Sequence, residues 1–221
     1  VLLRVARDQA AWYRSPPLMN KRVITAAALA LAAATTAVEA AGDPEAGQQA
    51  AATCAACHGA DGNSSDPQYP KIAGLGERYL EKQLIEYKDG TRENAIMAGM
   101  VAALSEEDIA NLAAYFASQS TSEGTAEADL VDHGQALYRG GDLDRQIAAC
   151  TACHGPSGKG IPGAAFPPLA GQHSDYVAAQ LMAFRSGTRV NDPQQMMRNI
   201  AIRLSDADIR ALASYVQGLR D

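Results

Sequence analysis

Cys54-Ala55-Ala56-Cys57-His58 and Cys150-Thr151-Ala152-Cys153-His154 are two copies of one pentapeptide, C-x-x-C-H, set 96 residues apart. This spacing is the signature of c-type haem attachment. Two thiols three positions apart on a helical turn reach the two vinyl groups along one haem edge. The adjacent histidine then lies beneath the ring with an imidazole nitrogen directed at the iron. Two other chemistries use paired cysteines. A thioredoxin-like redox motif needs neither the following histidine nor a second copy, and zinc-binding pairs stand far closer in sequence than these. The four cysteines of the chain are therefore predicted to hold two haem c groups covalently.

The repeat runs well beyond the cysteines and sets the domain organisation. Tyr69-Pro70-Lys71-Ile72-Ala73-Gly74 answers Phe166-Pro167-Pro168-Leu169-Ala170-Gly171. Tyr79, Gln83 and Leu84 answer Tyr176, Gln180 and Leu181, and Gly90-Thr91-Arg92 answers Gly187-Thr188-Arg189. Leu104-Ser105 with Asp108, Ile109, Leu112 and Tyr115 answers Leu204-Ser205 with Asp208, Ile209, Leu212 and Tyr215. The offset drifts from 96 at the cysteines to 100 at the end, so only a few loop residues were inserted in the second copy relative to the first. One longer difference precedes the second motif: Gly134 to Cys150 exceeds Gly47 to Cys54 by nine residues, which predicts an extra loop. Small polar residues from Thr121 to Glu127 read as a linker. The expected domains are 41–121 and 130–221, joined by 122–129.

Both copies read as helical. Ser105 and Ser205 are N-cap candidates with Asp108 and Asp208 three positions on, a capping pattern. Ile109, Leu112 and Phe116, like Ile209, Leu212 and Val216, recur at helical spacing. A middle helix is expected over about 78–88 and 175–185, and a first helix from Pro44 and from Asp132. No stretch sustains strand alternation. Three helices around a porphyrin make a small all-α domain, and the chain holds two in tandem.

The iron needs a sixth ligand unless it is to react with small molecules. A thioether is soft and uncharged and raises the reduction potential when it stands opposite histidine. Met97 lies seven residues before Leu104 and Met197 seven before Leu204, whereas Met100 and Met196 lack counterparts at matching offsets. A single methionine in an apolar stretch is ordinarily core filler. Two in register predict the axial pairs His58/Met97 and His154/Met197. His133 and His173 have no partners in the first copy and read as surface or partly satisfied side chains. Gly155-Pro156-Ser157-Gly158-Lys159 lacks the spacing of a phosphate-binding loop and reads as a turn. Pro70 and Pro167 fit two roles equally: a rigid turn, or a carbonyl that accepts the second imidazole proton.

The amino terminus carries a different message. Met19-Asn20-Lys21-Arg22 opens a basic region, followed by an alanine- and leucine-rich run to Val38 and small residues through Ala40. That is the layout of a secretory signal peptide. Residues 19–40 are read as that signal, cleaved after Ala40, and 1–18 as an upstream extension from an early start codon. The apolar run is short of the roughly 20 residues a bilayer span requires. From Ala41 onward 14 Lys/Arg face 23 Asp/Glu, a net charge of −9. A phosphate-binding surface needs the opposite excess, so nucleic acid is excluded as a partner. The chain is 47% hydrophobic yet only 5% aromatic, with three Phe and a single Trp that falls in the upstream extension as Trp12. Small domains with so little bulky apolar content are marginal on side chains alone. Two haems supply the missing core, and the apo chain is expected to fold poorly.

A signal segment, two c-type repeats, the start Ala41-Gly42-Asp43-Pro44-Glu45-Ala46-Gly47, Pro70-Lys71-Ile72-Ala73-Gly74 and the Leu-Ser-x-x-Asp-Ile openings of the final helices together resemble the dihaem cytochrome c4 family. The resemblance covers the chain from Ala41 to its end. It implies two cytochrome c domains related by a pseudo-twofold axis, with haem propionates facing each other across the interface. It implies His/Met ligation, here on His58/Met97 and His154/Met197. It also implies a monomeric periplasmic electron carrier rather than an enzyme, compatible with loose association with the membrane. The partners implied are a quinol-oxidising cytochrome bc complex and a haem-copper terminal oxidase.

Charge separates the copies: residues 41–123 carry a net −8 and residues 131–221 a net +1. Negative charge favours ferric over ferrous iron, so the first haem is expected to have the lower potential. Two alternatives are distinguishable by experiment. A dihaem subunit of a flavoprotein sulfide dehydrogenase would elute as a stable heteromer. A dihaem peroxidase would need one haem with an open or displaceable ligand and would react rapidly with hydrogen peroxide.

Overall fold

The computed structural model describes residues 42–220. The upstream extension 1–18 and the signal segment 19–40, with its cleavage point after Ala40, lie outside the described residues. The first half contains α1 (Pro44–Ala50), α2 (Ala52–His58), α3 (Glu77–Asp89), α4 (Ala95–Val101) and α5 (Glu106–Ala117). The second half repeats this order with α6 (Val131–Gly140), α7 (Thr151–His154), α8 (Ser174–Ser186), α9 (Met196–Ala201) and α10 (Asp206–Gly218). Among the described residues there is no strand, only isolated bridges pairing Asp142 with Ile147 and Ile161 with Phe166.

Local chemistry explains the helix starts. Asp43 accepts from the amides of Glu45 and Ala46, and Pro44 occupies the first helical turn, where its missing N–H costs nothing. Ser105 and Ser205 each accept from the amide three residues on, while Asp108 and Asp208 reach back to the serine amides. Both therefore form the reciprocal capping box. The middle helices run one residue further at each end than their apolar spacing predicts. Two kinds of short helix add to the three expected per copy: those carrying the C-x-x-C-H motifs, α2 and α7, and those carrying the methionines, α4 and α9. At four to seven residues each, they span too few turns to show a period.

In each half the first helix crosses the last at a glycine. A Cβ on Gly47 would fall 1.9 Å from the Asn111 carbonyl oxygen, and one on Gly134 would fall 2.3 Å from that of Ala211. Only hydrogen fits there. Around these crossings lie the two cores, Leu80, Leu112, Tyr115 and Phe116 in the first and Leu137, Tyr138, Ile209, Leu212 and Tyr215 in the second. Cys54 and Cys150 each pack against the core of their own half.

The extra loop before Cys150 is tied down. Ile147 is buried, the Asp142–Ile147 bridge closes the loop, and Arg145 bonds Asp142 at 2.6 Å and Asp208 at 2.6 Å. His133 Nε2 lies 2.9 Å from the same Asp208 carboxylate. Burial alone would push the Asp208 carboxyl up, but Arg145, Ser205 and His133 together hold it well below the usual carboxylate range. Because the folded group is the stronger acid, its stabilisation is complete above the ordinary carboxylate pKa of about 3.9. It is lost only as pH falls toward the lower folded value. Arg145→Gln should therefore lower stability near pH 7 by a modest, solvent-screened amount and raise the midpoint of acid unfolding, read by far-UV circular dichroism, with the difference from wild type fading as pH falls toward the folded value. An unchanged acid midpoint would show that the latch carries no linked proton.

The segment after α5 is bonded to both halves. Thr121 Oγ1 donates to Ala73 O, the Ser122 amide to Asn63 Oδ1, and the Glu127 amide to Ser214 Oγ. Nearby, Lys71 and Gln172 interlock the halves. The Lys71 amide donates to Gln172 Oε1 at 2.9 Å and Gln172 Nε2 donates back to Lys71 O at 2.7 Å. The Lys71 ammonium, buried, is held by the carbonyls of Ser122 and Gly171.

Candidate haem sites and the interface between them

Each histidine of the two motifs ends a short helix and is buried, 8% exposed in both cases. His58 Nδ1 lies 2.8 Å from Pro70 O, and His154 Nδ1 lies 2.9 Å from Pro167 O. A carbonyl can only accept, so Nδ1 carries the proton in both rings and Nε2 is left with its lone pair. Burial lowers both imidazole pKa values, against a smaller raising effect of the carbonyl bond, and so favours the neutral ring that binds metal. Of the two roles open to Pro70 and Pro167, the structure displays the carbonyl contact within the turn.

The loops that deliver these carbonyls are built alike. Gly62 and Gly158 adopt positive φ (81° and 70°), a conformation costly for residues with a Cβ. Their carbonyls accept from Ile72 and Ala73, and from Leu169 and Ala170. Tyr69 and Phe166 then stand beside the imidazoles, with ring centroids 6.3 and 6.5 Å away. Gly155-Pro156-Ser157-Gly158-Lys159 forms the corresponding turn.

The cysteines sit at matching places, Cys54 and Cys57 within α2, Cys150 at the N-cap of α7 and Cys153 within it. All four are half-buried and free of disulfides. Burial raises the Cys54 thiol and pushes Cys150 up to about 11, so both stay protonated thiols. Thiols of this kind, a neutral imidazole with Nε2 unprotonated and an adjoining apolar core are the donor set that covalent haem requires. The residues present fit the group.

The methionines arrive on separate helices, α4 packed against α3 and α9 against α8. Asn94 caps α4 by accepting from the Met97 amide at 2.9 Å. Met97 is half-buried above buried Val101, and Met197 is half-buried above buried Ala201, each four residues on. Met100 and Met196 are exposed. Helical phase and repeat register thus select the same residue in each half. The register shift between the copies is localised as well: it is 97 at Arg92/Arg189 and 100 at Met97/Met197. The three-residue turn Pro193–Gln195 lies in that interval. Of the remaining histidines, His133 pairs with Asp208 and His173 Nε2 meets Ser64 O at 2.9 Å across the interface. Both are occupied in hydrogen bonds.

Sequence reasoning did not foresee what the other in-register residues do. Arg92 donates to Gln83 of its own half (2.7 Å) and to Tyr176 and Gln180 of the other half (both 3.0 Å). Arg189 donates to Gln180 of its own half (2.8 Å) and to Tyr79 and Gln83 of the other (both 3.2 Å). The contacts are reciprocal, as a twofold relation between the halves requires. The available signal was polar identity repeated at an i, i+4 spacing on helices whose other faces are apolar.

Comparison with known proteins agrees with this architecture. The family model for cytochrome c matches residues 44–120 and again 131–220. A cytochrome c4 of Pseudomonas aeruginosa is 52% identical over 202 residues, 91% of this chain and 100% of that protein. A thiosulfate dehydrogenase electron acceptor of Stutzerimonas stutzeri is 44% identical, over 75% of this chain and 78% of its own. Among solved structures, reduced recombinant cytochrome c4 from Pseudomonas stutzeri superposes with a TM-score of 0.80 at 50% identity, covering 81% of this chain and 100% of that one.

Proposed function

The chain belongs to the cytochrome c4 family of dihaem electron carriers, and on that premise we propose that it shuttles single electrons through the periplasm in respiration. It accepts them from a quinol-oxidising cytochrome bc complex and delivers them to a haem-copper terminal oxidase, without itself catalysing a net reaction. Cys54 and Cys57 hold one haem c and Cys150 and Cys153 the other, with His58/Met97 and His154/Met197 as axial pairs. Bound haem supplies the one-electron couple of its iron. The chain's own residues hold an imidazole in one tautomer, exclude water from it and keep both halves in fixed contact. The domain limits 41–121 and 130–221 follow from the repeat, and residues 19–40 are the export signal.

The observation that carries the reading is the pair of imidazole-to-proline carbonyl bonds, at 2.8 and 2.9 Å. Each leaves one metal-binding nitrogen in a site beside paired cysteines. Purified holoprotein should be reduced by a quinol-driven cytochrome bc complex and reoxidised by a haem-copper oxidase. A holoprotein that the bc complex cannot reduce would sink the respiratory assignment. The relative named as a thiosulfate dehydrogenase electron acceptor favours one second reading. Reduction by such a dehydrogenase with thiosulfate, in place of the bc complex, would select it.

The uneven charge, net −8 on residues 41–123 and +1 on 131–221, makes a separate prediction. A haem-resolved redox titration should find the first haem at the lower potential, with the gap narrowing as salt screens the surface. A first haem with the higher potential refutes the charge argument.

A further inference from the structure

One peptide group of the first half is hydrogen-bonded at both ends, and its two partners belong to different halves. The carbonyl of Pro70 accepts from His58 Nδ1 at 2.8 Å. The N–H of the same peptide unit is that of Lys71, and it donates to Gln172 Oε1 at 2.9 Å. Gln172 Nε2 donates back to Lys71 O at 2.7 Å, so a single orientation of the side-chain amide satisfies both bonds. Gln172 Oε1 also accepts from the His173 amide at 3.0 Å. The Lys71 ammonium donates to Gly171 O at 2.9 Å and to Ser122 O at 2.8 Å, and so grips the segment that carries Gln172. Lys71 and Gln172 are both buried, which keeps water from competing for these bonds.

The second copy lacks both ends of this line. Pro168 stands in register with Lys71, and proline has no N–H to donate. Leu75 stands in register with Gln172 and has no side-chain atom that could accept. His154 Nδ1 bonds Pro167 O, but the peptide beyond that carbonyl carries no hydrogen.

Hydrogen bonds in series polarise one another, and an acceptor placed on a peptide N–H adds negative charge to the oxygen of that peptide. Pro70 O therefore attracts the His58 Nδ1 proton more strongly than an unassisted carbonyl does. The electron density left on Nε2 rises accordingly, which makes the ring a better donor to metal. We propose that Gln172 of the second half is a positioning residue for the axial imidazole of the first. Acting through the Pro70–Lys71 peptide, it makes His58 the stronger electron donor of the two histidines and lowers the potential of the first haem. The proposal rests on the reading of His58 as that haem's ligand. Gln172 does not contact the imidazole, and it is neutral, so its effect is separate from the charge difference between the halves.

Nuclear magnetic resonance of the reduced holoprotein reads both imidazole N–H groups. A stronger N–H···O bond lengthens N–H and reduces its one-bond nitrogen–proton coupling, so in wild type that coupling should be smaller for His58 than for His154. Gln172→Met keeps most of the side-chain volume and removes the acceptor. It should move the His58 Nδ1 proton upfield, leave that of His154 in place, and raise the midpoint of the first haem alone in a haem-resolved redox titration. The rise should be the same at low and high salt, because no charge is lost. His173→Ala removes a different bond across the interface, the one to Ser64 O, and should move neither proton. An unmoved His58 proton in Gln172→Met overturns the proposal, as does a midpoint shift shared by both haems or an equal response to His173→Ala. Equal couplings in wild type overturn it too, and that comparison decides the matter even if Gln172→Met fails to fold. A His58 ring without the upfield displacement of a ligand beneath a porphyrin would instead overturn the haem assignment, and this proposal with it.

Discussion

Replacing Met97 by alanine should abolish the thioether–iron absorption band of one haem and leave that of the other unchanged. Methionine opposite histidine raises the potential of its iron, so that haem should also become harder to reduce. The shift should be on the order of 0.1 V or more, within the roughly 0.8 V range that axial ligation commands. Met197→Ala should do the same to the second haem. Met100 provides the control: three residues from Met97 on α4 and exposed, it should tolerate alanine with no spectral change. Loss of the band in the Met100 variant instead would mean that phase and register had chosen wrongly. Two unchanged spectra would remove thioether ligation from the first half altogether.

The second large effect is structural. Gly134→Val places carbon where the Ala211 carbonyl oxygen would be 2.3 Å away and the Tyr215 Cβ 2.6 Å away. A flexible side chain could swing clear, but a backbone carbonyl inside a helix and a Cβ fixed to one cannot. The helices α6 and α10 must separate, at a cost of about 3 kcal/mol or more. Small haem-dependent domains have little stability to lose. The second half should therefore unfold at markedly lower temperature and release a protease-sensitive fragment, while the first half retains its haem spectrum. Wild-type thermal stability in this variant would mean that the helix crossing is not a determinant of the fold.

Much of this was legible in the sequence, for identifiable reasons. The C-x-x-C-H spacing fixes its chemistry because a thioether pair and an axial ligand admit one arrangement on one helical turn. Ser105 and Ser205 announced their helices because a capping box is a purely local bargain between a side chain and amides three residues away. The methionine helices were hidden, because six or seven residues span too few turns to show a period. The latch from Arg145 to Asp208 was hidden for another reason: its partners are 63 residues apart, and Arg145 lies in the loop that only the second copy has. Lys71 and Gln172 were obscured in the same way, 101 residues apart and without repeat counterparts of their kind. Tyr79, Gln83 and Arg92 stood in plain register with Tyr176, Gln180 and Arg189. Register establishes that positions are equivalent; it does not reveal that they meet.

That meeting has the form of an isologous interface, in which residue i of one unit touches j of the other and j touches i. Here both units belong to one chain. A pair that would otherwise associate at a rate set by its concentration is tethered, so docking is intramolecular and immune to dilution. Covalent linkage also permits what strict twofold symmetry would force to occur twice. Lys71 meets Gln172 once, and the −8 and +1 halves differ in charge. The crossed arginines thus preserve the logic of a homodimer, while the tether leaves each half free to specialise as its own redox centre.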